Sequence, residues 1–389
     1  MAAATPPATP SNQAGPWLVL SSKRAFEAFA GPVPQRLRER YVFLKPERGA
    51  RIRALLPEAR LVLSQSYPRP EVNRWIFEAR RCGVPTLLLV DGPLEWSNVF
   101  ANPSLSQAGA GAARALFDPL VHDAVATIGE AQTRFIADRN PNRSIAYMSY
   151  ANHRIRTSPP SPTADGSERG HPVDRANRPF DFLLTTARTT AFDERERASL
   201  EGALVACAAA LGEARHRTLV RIFDDRTRRS VERAMPDATI DTTGDFRDTL
   251  ARCHCVIGTP SSVLLEAMHH DHPTATLLFR DGPLFYSTGW LLGGFSDWRT
   301  SFASMLARDP DRMALQRRSV RENLSELDFH EQIEDFMQGD VLRVPRPLDA
   351  LDLEFENQVL RQVAGIRARL FAPIYRALRG ARSKRPPRS

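Results

Sequence analysis

Several features of common protein classes are missing from this 389-residue sequence. No run of apolar residues approaches the roughly 20 that a membrane-spanning helix needs. Cysteine is scarce, and no two cysteines form a CxxC pair; the four are Cys82, Cys207, Cys253 and Cys255. This number and spacing argue against a disulfide framework and indicate reduced thiols in the core.

Motifs of several enzyme classes are missing as well. The chain has no G-x-G-x-x-G, Walker A sequence or nucleophile elbow, which removes support for dinucleotide oxidoreductases, P-loop kinases and α/β-hydrolases. The first residues, 1–15, carry neither the basic nor the apolar region of a secretory signal. We therefore expect a disordered leader on a cytoplasmic protein.

Positive charge is unevenly distributed along the chain. The formal net charge is +8, but residues 361–389 hold nine Lys or Arg and no Asp or Glu. The rest of the chain has 44 basic and 45 acidic residues, so it is nearly neutral. This balance argues against nucleic acid as a partner. The tail is predicted to form an amphipathic helix that binds the anionic inner face of the plasma membrane. The alternative is a helix that packs back on the body and leaves a solvated basic tip.

Apolar segments of strand length alternate with helical segments over residues 16–153. The helical segments include Arg51–Leu56 and Pro70–Arg81. This βαβα order predicts a mostly parallel sheet covered by helices on both faces. The predicted strands are Trp17–Leu20, Tyr41–Leu44, Leu61–Leu63, Thr86–Val90, Ala124–Ile128 and Ile145–Met148.

The alternation breaks over residues 154–179, whose Pro, Ser, Gly and charged residues predict a linker or long loop. It then resumes with strands at Phe182–Thr186, Thr218–Phe223, Thr239–Asp241, Cys255–Gly258 and Thr274–Leu278. We therefore predict an α/β protein with a leader 1–15, a first domain 16–153, the linker 154–179, a second domain 180–340 and a helical, basic tail 341–389.

The most informative segment is Val256–Met268, with the sequence VIGTPSSVLLEAM. A buried strand is predicted to end at Gly258, and a helix to begin with Thr259 as N-cap and Pro260 at the first helical position. Polar side chains therefore follow the carboxyl end of a parallel strand, which is where such folds bind nucleotides.

The first turn of this helix suits an anion. Ser261 and Ser262 lie there, where free backbone N–H groups and the helix dipole favour negative charge. Glu266 follows one turn along the same face, where a carboxylate can accept hydrogen bonds from a ribose diol. Helix capping alone would also explain Thr-Pro-Ser-Ser.

This segment, followed by Pro273 and an apolar strand, resembles the donor-nucleotide motif of GT-B glycosyltransferases. The likeness is greatest to bacterial enzymes that build capsule or other surface polysaccharides. It implies two Rossmann-like parallel-sheet domains that face a cleft, the acceptor side in the first and the nucleotide in the second. In that superfamily the serines meet the donor's phosphates and the glutamate meets the ribose. The resemblance assigns the donor nucleotide to Thr259, Ser261, Ser262 and Glu266.

Three features depart from the family pattern. Gly258 stands where many retaining members have a second glutamate, eight residues before the ribose one. The sequence His269–Pro273 lacks the usual turn glycine. The strand Leu219–Phe223 lacks the His-Pro pair of sialyltransferase-like and capsule families, and Arg221 is the candidate phosphate-facing cation in its place.

In the first domain an apolar strand stops at Asp91-Gly92, and Glu95 follows. Sialyltransferase-like families carry an acidic pair plus glycine here, and the acid serves as general base on the acceptor hydroxyl. The resemblance therefore implies Asp91 as the base, with Glu95 second, in an inverting transfer. A turn-forming Asp-Gly is the simpler alternative. In the second domain, Arg188 follows the first strand where GT-B loops border the diphosphate, so it is a secondary phosphate candidate.

The histidines of His269–His272 do not converge on one face, so no metal site is predicted. GT-B enzymes typically need no metal, and no cofactor is implied beyond the nucleotide-sugar co-substrate. The sequence thus predicts a glycosyltransferase acting on a surface-polysaccharide or lipid-linked glycan acceptor. The alternatives are a nucleotide-sugar 2-epimerase, a polyol-phosphate transferase, or a non-catalytic partner of a polysaccharide assembly complex.

Overall fold

The computed structural model describes residues 15–65, 67, 69–102, 115–156, 178–188, 191–279, 282–294, 296–338, 345–357, 359–361 and 363–364. Within these residues lie two six-stranded sheets, and every strand pair in them is parallel. Nearly all of the predicted leader, most of the predicted linker 154–179 and the basic end of the tail lie outside the described residues.

The first sheet is formed by residues 17–149 and their helices. Its elements are β1 (Trp17–Val19), α1 (Lys23–Ala30), β2 (Tyr41–Phe43), α2 (Gly49–Leu55), β3 (Leu61–Ser64), α3 (Pro70–Arg81), β4 (Thr86–Leu89), α4 (Trp96–Phe100), β5 (Ala124–Thr127), α5 (Glu130–Arg139), β6 (Ala146–Ser149) and α6 (His153–Arg156). The strand order is β2-β1-β3-β4-β5-β6. The six predicted strands are confirmed to within one residue at each end.

The second sheet begins after the predicted linker. Its elements are β7 (Phe180–Thr185), α7 (Glu194–Glu213), β8 (Thr218–Arg221), α8 (Asp225–Ala234), β9 (Thr239–Ile240), α9 (Phe246–Ala251), β10 (Cys253–Gly258), α10 (Ser262–His269), β11 (Thr274–Leu277), β12 (Trp290–Leu292), α11 (Trp298–Leu306), α12 (Pro310–Asn323) and α13 (Phe329–Gln338). The order β12-β11-β10-β7-β8-β9 reverses between β7 and β10. Such a reversal opens a crevice at the carboxyl ends of these two strands.

The helix after β10 begins later than the sequence predicted. Ser261 is its N-cap, and the Ser261 carbonyl accepts the N–H of Leu264 at 3.2 Å. Thr259 stays with the sheet: its N–H donates to the Thr185 carbonyl at 3.4 Å, and its Oγ1 accepts the N–H of Ala187 at 2.9 Å. The prediction of Thr259 as N-cap is therefore wrong, because pairing with β7 keeps the chain extended past Gly258.

The last part of the chain returns to the first sheet. In α13, which the predicted range 180–340 includes, Phe329 packs 5.6 Å from Phe26, and His330 Nδ1 lies 3.1 Å from the Tyr41 hydroxyl. Residues 350–357 are helical. From this segment, Asp352 meets the buried guanidinium of Arg80 at 3.0 Å. The two sheets are thus joined by a second crossing of the chain.

No helix in the described ranges is both long and apolar enough to span a bilayer. All four cysteines are unbridged, and Cys207, Cys253 and Cys255 are buried, while Cys82 is exposed. The predicted place of the thiols in the core holds for these three, whereas Cys82 lies at the surface.

Candidate functional site

A cleft of about 1150 Å³ separates the two sheets. The turns that follow β4, β7 and β10 line it, so it lies at the carboxyl edge of both sheets. We call the side formed by residues 24–154 the first wall and the side formed by residues 185–279 the second wall. The predicted site residues that line the cleft are Asp91, Glu95, Arg188, Arg221, Ser261, Ser262 and Glu266. Thr259 does not line it and is buried next to Ala187.

The Asp91 turn on the first wall is held through its backbone. Three successive carbonyls each accept a hydrogen bond from a largely buried side chain. The pairs are Tyr150 Oη to the Val90 carbonyl (2.6 Å), Asn152 Nδ2 to the Asp91 carbonyl (3.1 Å) and Gln132 Nε2 to the Gly92 carbonyl (2.8 Å). Because these bonds use only backbone atoms, they fix the turn and leave the carboxylate of Asp91 to the cleft.

The Asp91 side chain is exposed to the solvent in the cleft, where atoms of both walls surround it. Desolvation in this setting raises the pKa of Asp91, while a backbone hydrogen bond and the charge of Arg154 lower it. The raised pKa makes the carboxylate a better proton acceptor near neutral pH. Glu95 lies further along the same loop, where its backbone forms an antiparallel bridge with Pro283 of the second domain.

The start of α10 on the second wall is held in a similar way. The Tyr286 hydroxyl donates to the Ser261 carbonyl at 3.0 Å and accepts the Ser261 N–H at 3.1 Å. The Ser261 hydroxyl donates to the Thr259 carbonyl at 3.2 Å. The N–H groups of Ser262 and Val263 donate to no other described residue, as expected in the first turn of a helix. These two amides, with the Ser262 hydroxyl, can therefore hold an anion.

Glu266 lines the cleft from the next turn of α10 and is 2% exposed. Desolvation raises its pKa to about 7, against the opposing charges of Arg154 and Arg247. The nearer guanidinium is that of Arg247, whose Nε lies 3.8 Å from Glu266 Oε1. Glu266 can therefore change its charge near neutral pH, at the place where the resemblance expects a ribose.

The two arginines predicted to face phosphate differ in their surroundings. Arg188 is exposed in the cleft, with its guanidinium 5.5 Å from the Phe223 ring. Arg221 is buried and donates to the carbonyls of Thr243 at 2.8 Å and Gly244 at 2.9 Å. Arg221 thus supports the loop at the rim of the cleft. Its contact with phosphate stays a prediction.

Two further arginines in the cleft were not identified from the sequence. Arg154 falls in the predicted linker, but it lies on α6, and Arg247 lies on α9. Arg247 Nη2 donates to the Arg154 carbonyl at 3.3 Å, so the pair joins the two walls. One signal was available: Arg154 follows β6, another strand whose carboxyl end lies at the same edge as Asp91.

Within the part of the chain that the structure describes, no group of three or more His, Cys, Asp or Glu side chains could hold a metal ion. His272, the last histidine of His269–His272, is buried, with its Nδ1 2.9 Å from the guanidinium of Arg178. Burial lowers the pKa of this imidazole and favours its neutral form.

No family model matches the sequence, and no curated protein matches it either. Solved structures do match. S. aureus MnaA, in a co-structure with UDP, is 10% identical over 87% of this chain and 99% of that chain, with a TM-score of 0.51. A Listeria monocytogenes protein provisionally assigned as a UDP-N-acetylglucosamine 2-epimerase is 11% identical over 86% and 98%, with a TM-score of 0.53. UDP-GlcNAc 2-epimerase from Neisseria meningitidis, bound to UDP-GlcNAc, is 10% identical over 84% of this chain and 100% of that chain, with a TM-score of 0.50.

At such low sequence identity, the structural similarity shows a shared fold and nothing about the reaction. The chain has the GT-B fold, with two parallel-sheet domains facing a cleft, as the sequence motif implied.

Proposed function

We propose that this protein transfers a sugar from a nucleotide-sugar donor to a surface-polysaccharide or lipid-linked glycan acceptor, with inversion at the sugar. The proposal rests on how closely the two strand-end turns approach each other. A Cβ atom placed on Gly92 would lie 3.8 Å from the Ser262 Cβ. Gly92, the residue after Asp91, therefore lies beside Ser262 at the start of α10. Asp91 can accept a proton, and this helix start can hold a phosphate.

In this proposal the donor diphosphate lies at the first turn of α10, near Arg188, and the ribose meets Glu266. The amides of Ser262 and Val263 would stabilise the charge that develops as the phosphate leaves. Asp91 would take the proton of the acceptor hydroxyl as that oxygen attacks the sugar from the opposite face. Tyr150, Asn152 and Gln132 would act as positioning residues, because they hold the Asp91 turn and do not reach the reacting atoms.

The first experiment is thermal denaturation of the full chain with UDP, CMP, GDP, CDP and dTDP in turn. A nucleotide at 100 times its dissociation constant stabilises the folded state by about 2.7 kcal/mol. We expect one nucleotide to raise the melting temperature and Glu266→Ala to abolish that increase. Asp91→Asn should keep the increase but lower turnover by roughly 10²- to 10⁴-fold, because only proton transfer is lost.

The outcomes separate the alternatives. Epimerised sugar formed without an acceptor would favour a nucleotide-sugar 2-epimerase, and a requirement for a nucleotide-linked polyol would favour a polyol-phosphate transferase. If no nucleotide stabilises a cooperatively melting chain, the non-catalytic partner is the better conclusion. Near-normal turnover of a folded Asp91→Asn protein would remove Asp91 as the base and leave Glu95 as the next candidate.

We also propose that residues 361–389 bring the protein to an anionic membrane surface. Nine basic residues without an acidic one support this, as do the exposed side chains of Leu351, Leu353 and Leu360 just before them. Co-sedimentation with vesicles of 30% phosphatidylserine tests it. Binding should exceed that to neutral vesicles and fall when Arg376, Arg379, Arg382 and Arg385 are replaced by Gln. Equal binding to both vesicle types would refute it.

A further inference from the structure

The first wall holds two arginines that the proposed chemistry does not use. Arg24 lines the cleft from α1, and Arg154 lines it from α6. Neither guanidinium forms a hydrogen bond or an ion pair with any residue in the described ranges. The other cleft arginines differ: Arg221 and Arg247 have acceptors, and Arg188 lies against an aromatic ring.

Arg154 lines the cleft together with carboxylates of both walls, Asp91 and Glu266 among them. Its charge acts on both Asp91 and Glu266, yet neither carboxylate lies within 4 Å of it. The side chain is half-buried. A partly desolvated guanidinium without a paired carboxylate gains most from a ligand that brings its own negative charge.

The two arginines share one side of the cleft. α6 packs against α1, and the His153 ring lies 3.6 Å from where a Cβ on Gly31, at the end of α1, would be. The donor groups lie on the other side, with Arg188 after β7 and Ser262 after β10. α6 also packs against α10, so Arg154 lies where the first wall meets the helix of Glu266. Its guanidinium and that of Arg24 nevertheless belong to the first wall, whereas the amides and Arg188 that are assigned to the donor diphosphate belong to the second.

We propose that Arg154 and Arg24 form an anion subsite that binds a carboxylate or phosphate group of the acceptor. The identity of the ligand as acceptor rests on the proposed transferase function, whereas the subsite itself does not. An acidic group held by Arg154 would place the acceptor next to Asp91, which would favour acidic glycans or phosphate-bearing acceptors over neutral ones.

Calorimetric titration of the full chain, with its nucleotide bound, tests the subsite at constant ionic strength. Glucuronate and glycerol 1-phosphate are the acidic probes, and glucose and glycerol are their neutral counterparts. We expect each acidic probe to bind more tightly than its counterpart. Arg154→Gln should weaken the acidic probes by about tenfold to a hundredfold, the range for a charge-assisted hydrogen bond, and Arg24→Gln by less. The acidic probe that binds more tightly identifies the group as carboxylate or phosphate.

Two arginines serve as matched controls. Arg156, on the same short helix, donates to the Ser325 carbonyl at 3.0 Å and does not line the cleft, so Arg156→Gln should leave the acidic probes unaffected. Arg188→Gln should weaken the nucleotide and spare the acidic probes.

The proposal is overturned if acidic and neutral probes bind equally, or if Arg154→Gln changes acidic-probe binding no more than Arg156→Gln does. It is also overturned if Arg154→Gln weakens the nucleotide as much as Arg188→Gln, since Arg154 would then serve the donor. If no nucleotide binds, the proposed function fails instead, and the same titrations on the unliganded chain still decide the subsite.

Discussion

In both walls of the cleft, side chains hold a strand-end turn through its backbone, but the two turns offer different groups to a ligand. On the first wall, the turn after β4 is held by side chains that bind its carbonyls, and it offers the carboxylate of Asp91. On the second wall, the turn after β10 is held by Tyr286, which binds both backbone groups of Ser261, and the chain then offers the amides of a helix start. One wall can accept a proton, and the other can hold an anion.

The difference also separates groups that build the cleft from groups that a ligand can use. Tyr150, Asn152 and Tyr286 form hydrogen bonds with backbone groups, and so does Arg221. Polar groups that are already satisfied gain little from a ligand, because a new contact would replace an existing one. The groups that remain for a ligand are Asp91, Arg24 and Arg154 on the first wall, and Ser262 and Arg188 on the second.

The largest expected effect on stability within the second wall comes from Arg221. Arg221→Met would remove the donor of the Thr243 and Gly244 carbonyls and break the ion pair with Asp241, whose Oδ1 lies 3.7 Å from Nη1. Each of the two carbonyls left without its donor costs about 1–3 kcal/mol, whereas Asp241 keeps the guanidinium of Arg252 at 3.1 Å. The free energy of unfolding in urea should therefore fall by about 2–6 kcal/mol.

Arg188→Met is the matched control, because Arg188 is exposed and makes no ion pair within the described residues. Its free energy of unfolding should change by about 0.5 kcal/mol or less, while its nucleotide affinity falls. If Arg221→Met proved as stable as the wild type but bound the nucleotide poorly, Arg221 would be the ligand-binding arginine that the sequence suggested.

The fold could be predicted from the sequence because its signals are local. Each buried parallel strand is a short apolar run, such as Leu87–Leu89, and each is followed by an amphipathic helical segment or a polar turn. The exact start of α10 could not be predicted, since Thr259 and Ser261 are both good N-caps. The choice between them depends on the pairing of Thr259 with β7, which comes from more than 70 residues earlier in the chain.

The site could be predicted only where a residue follows a recognisable strand or motif. Asp91, Ser262 and Glu266 meet that condition. Arg154 also follows a predicted strand, but it is assigned to the linker because it adjoins the long Pro- and Ser-rich segment and shares its polar composition. Nor could the sequence distinguish Arg188 from Arg221, since the difference lies in the loop at 241–244, which folds over one guanidinium and not over the other.

The carboxylates of the two walls differ in a way that pH can test. Both pKa values are raised by desolvation, but Asp91 is open to the cleft, whereas Glu266 is buried. The folded chain holds the Glu266 proton up to about pH 7, while the unfolded chain releases it near its ordinary value of 4.5. Between these pH values the folded state binds more protons than the unfolded state. The contribution of Glu266 to the free energy of unfolding is therefore complete below pH 4.5 and is lost as the pH rises through 7.

The smaller expected effect on stability follows from this difference. Because the pKa interval corresponds to about 3 kcal/mol, Glu266→Gln should be more stable than the wild type by up to that amount at pH 8.5 and nearly equal to it at pH 4.5. Urea denaturation at the two pH values measures this. Asp248→Asn, which removes an exposed carboxylate from α9, should keep the wild-type pH dependence. Parallel pH profiles for Glu266→Gln and the wild type would mean that Glu266 is ionised at little cost, because the charges of Arg154 and Arg247 offset its desolvation.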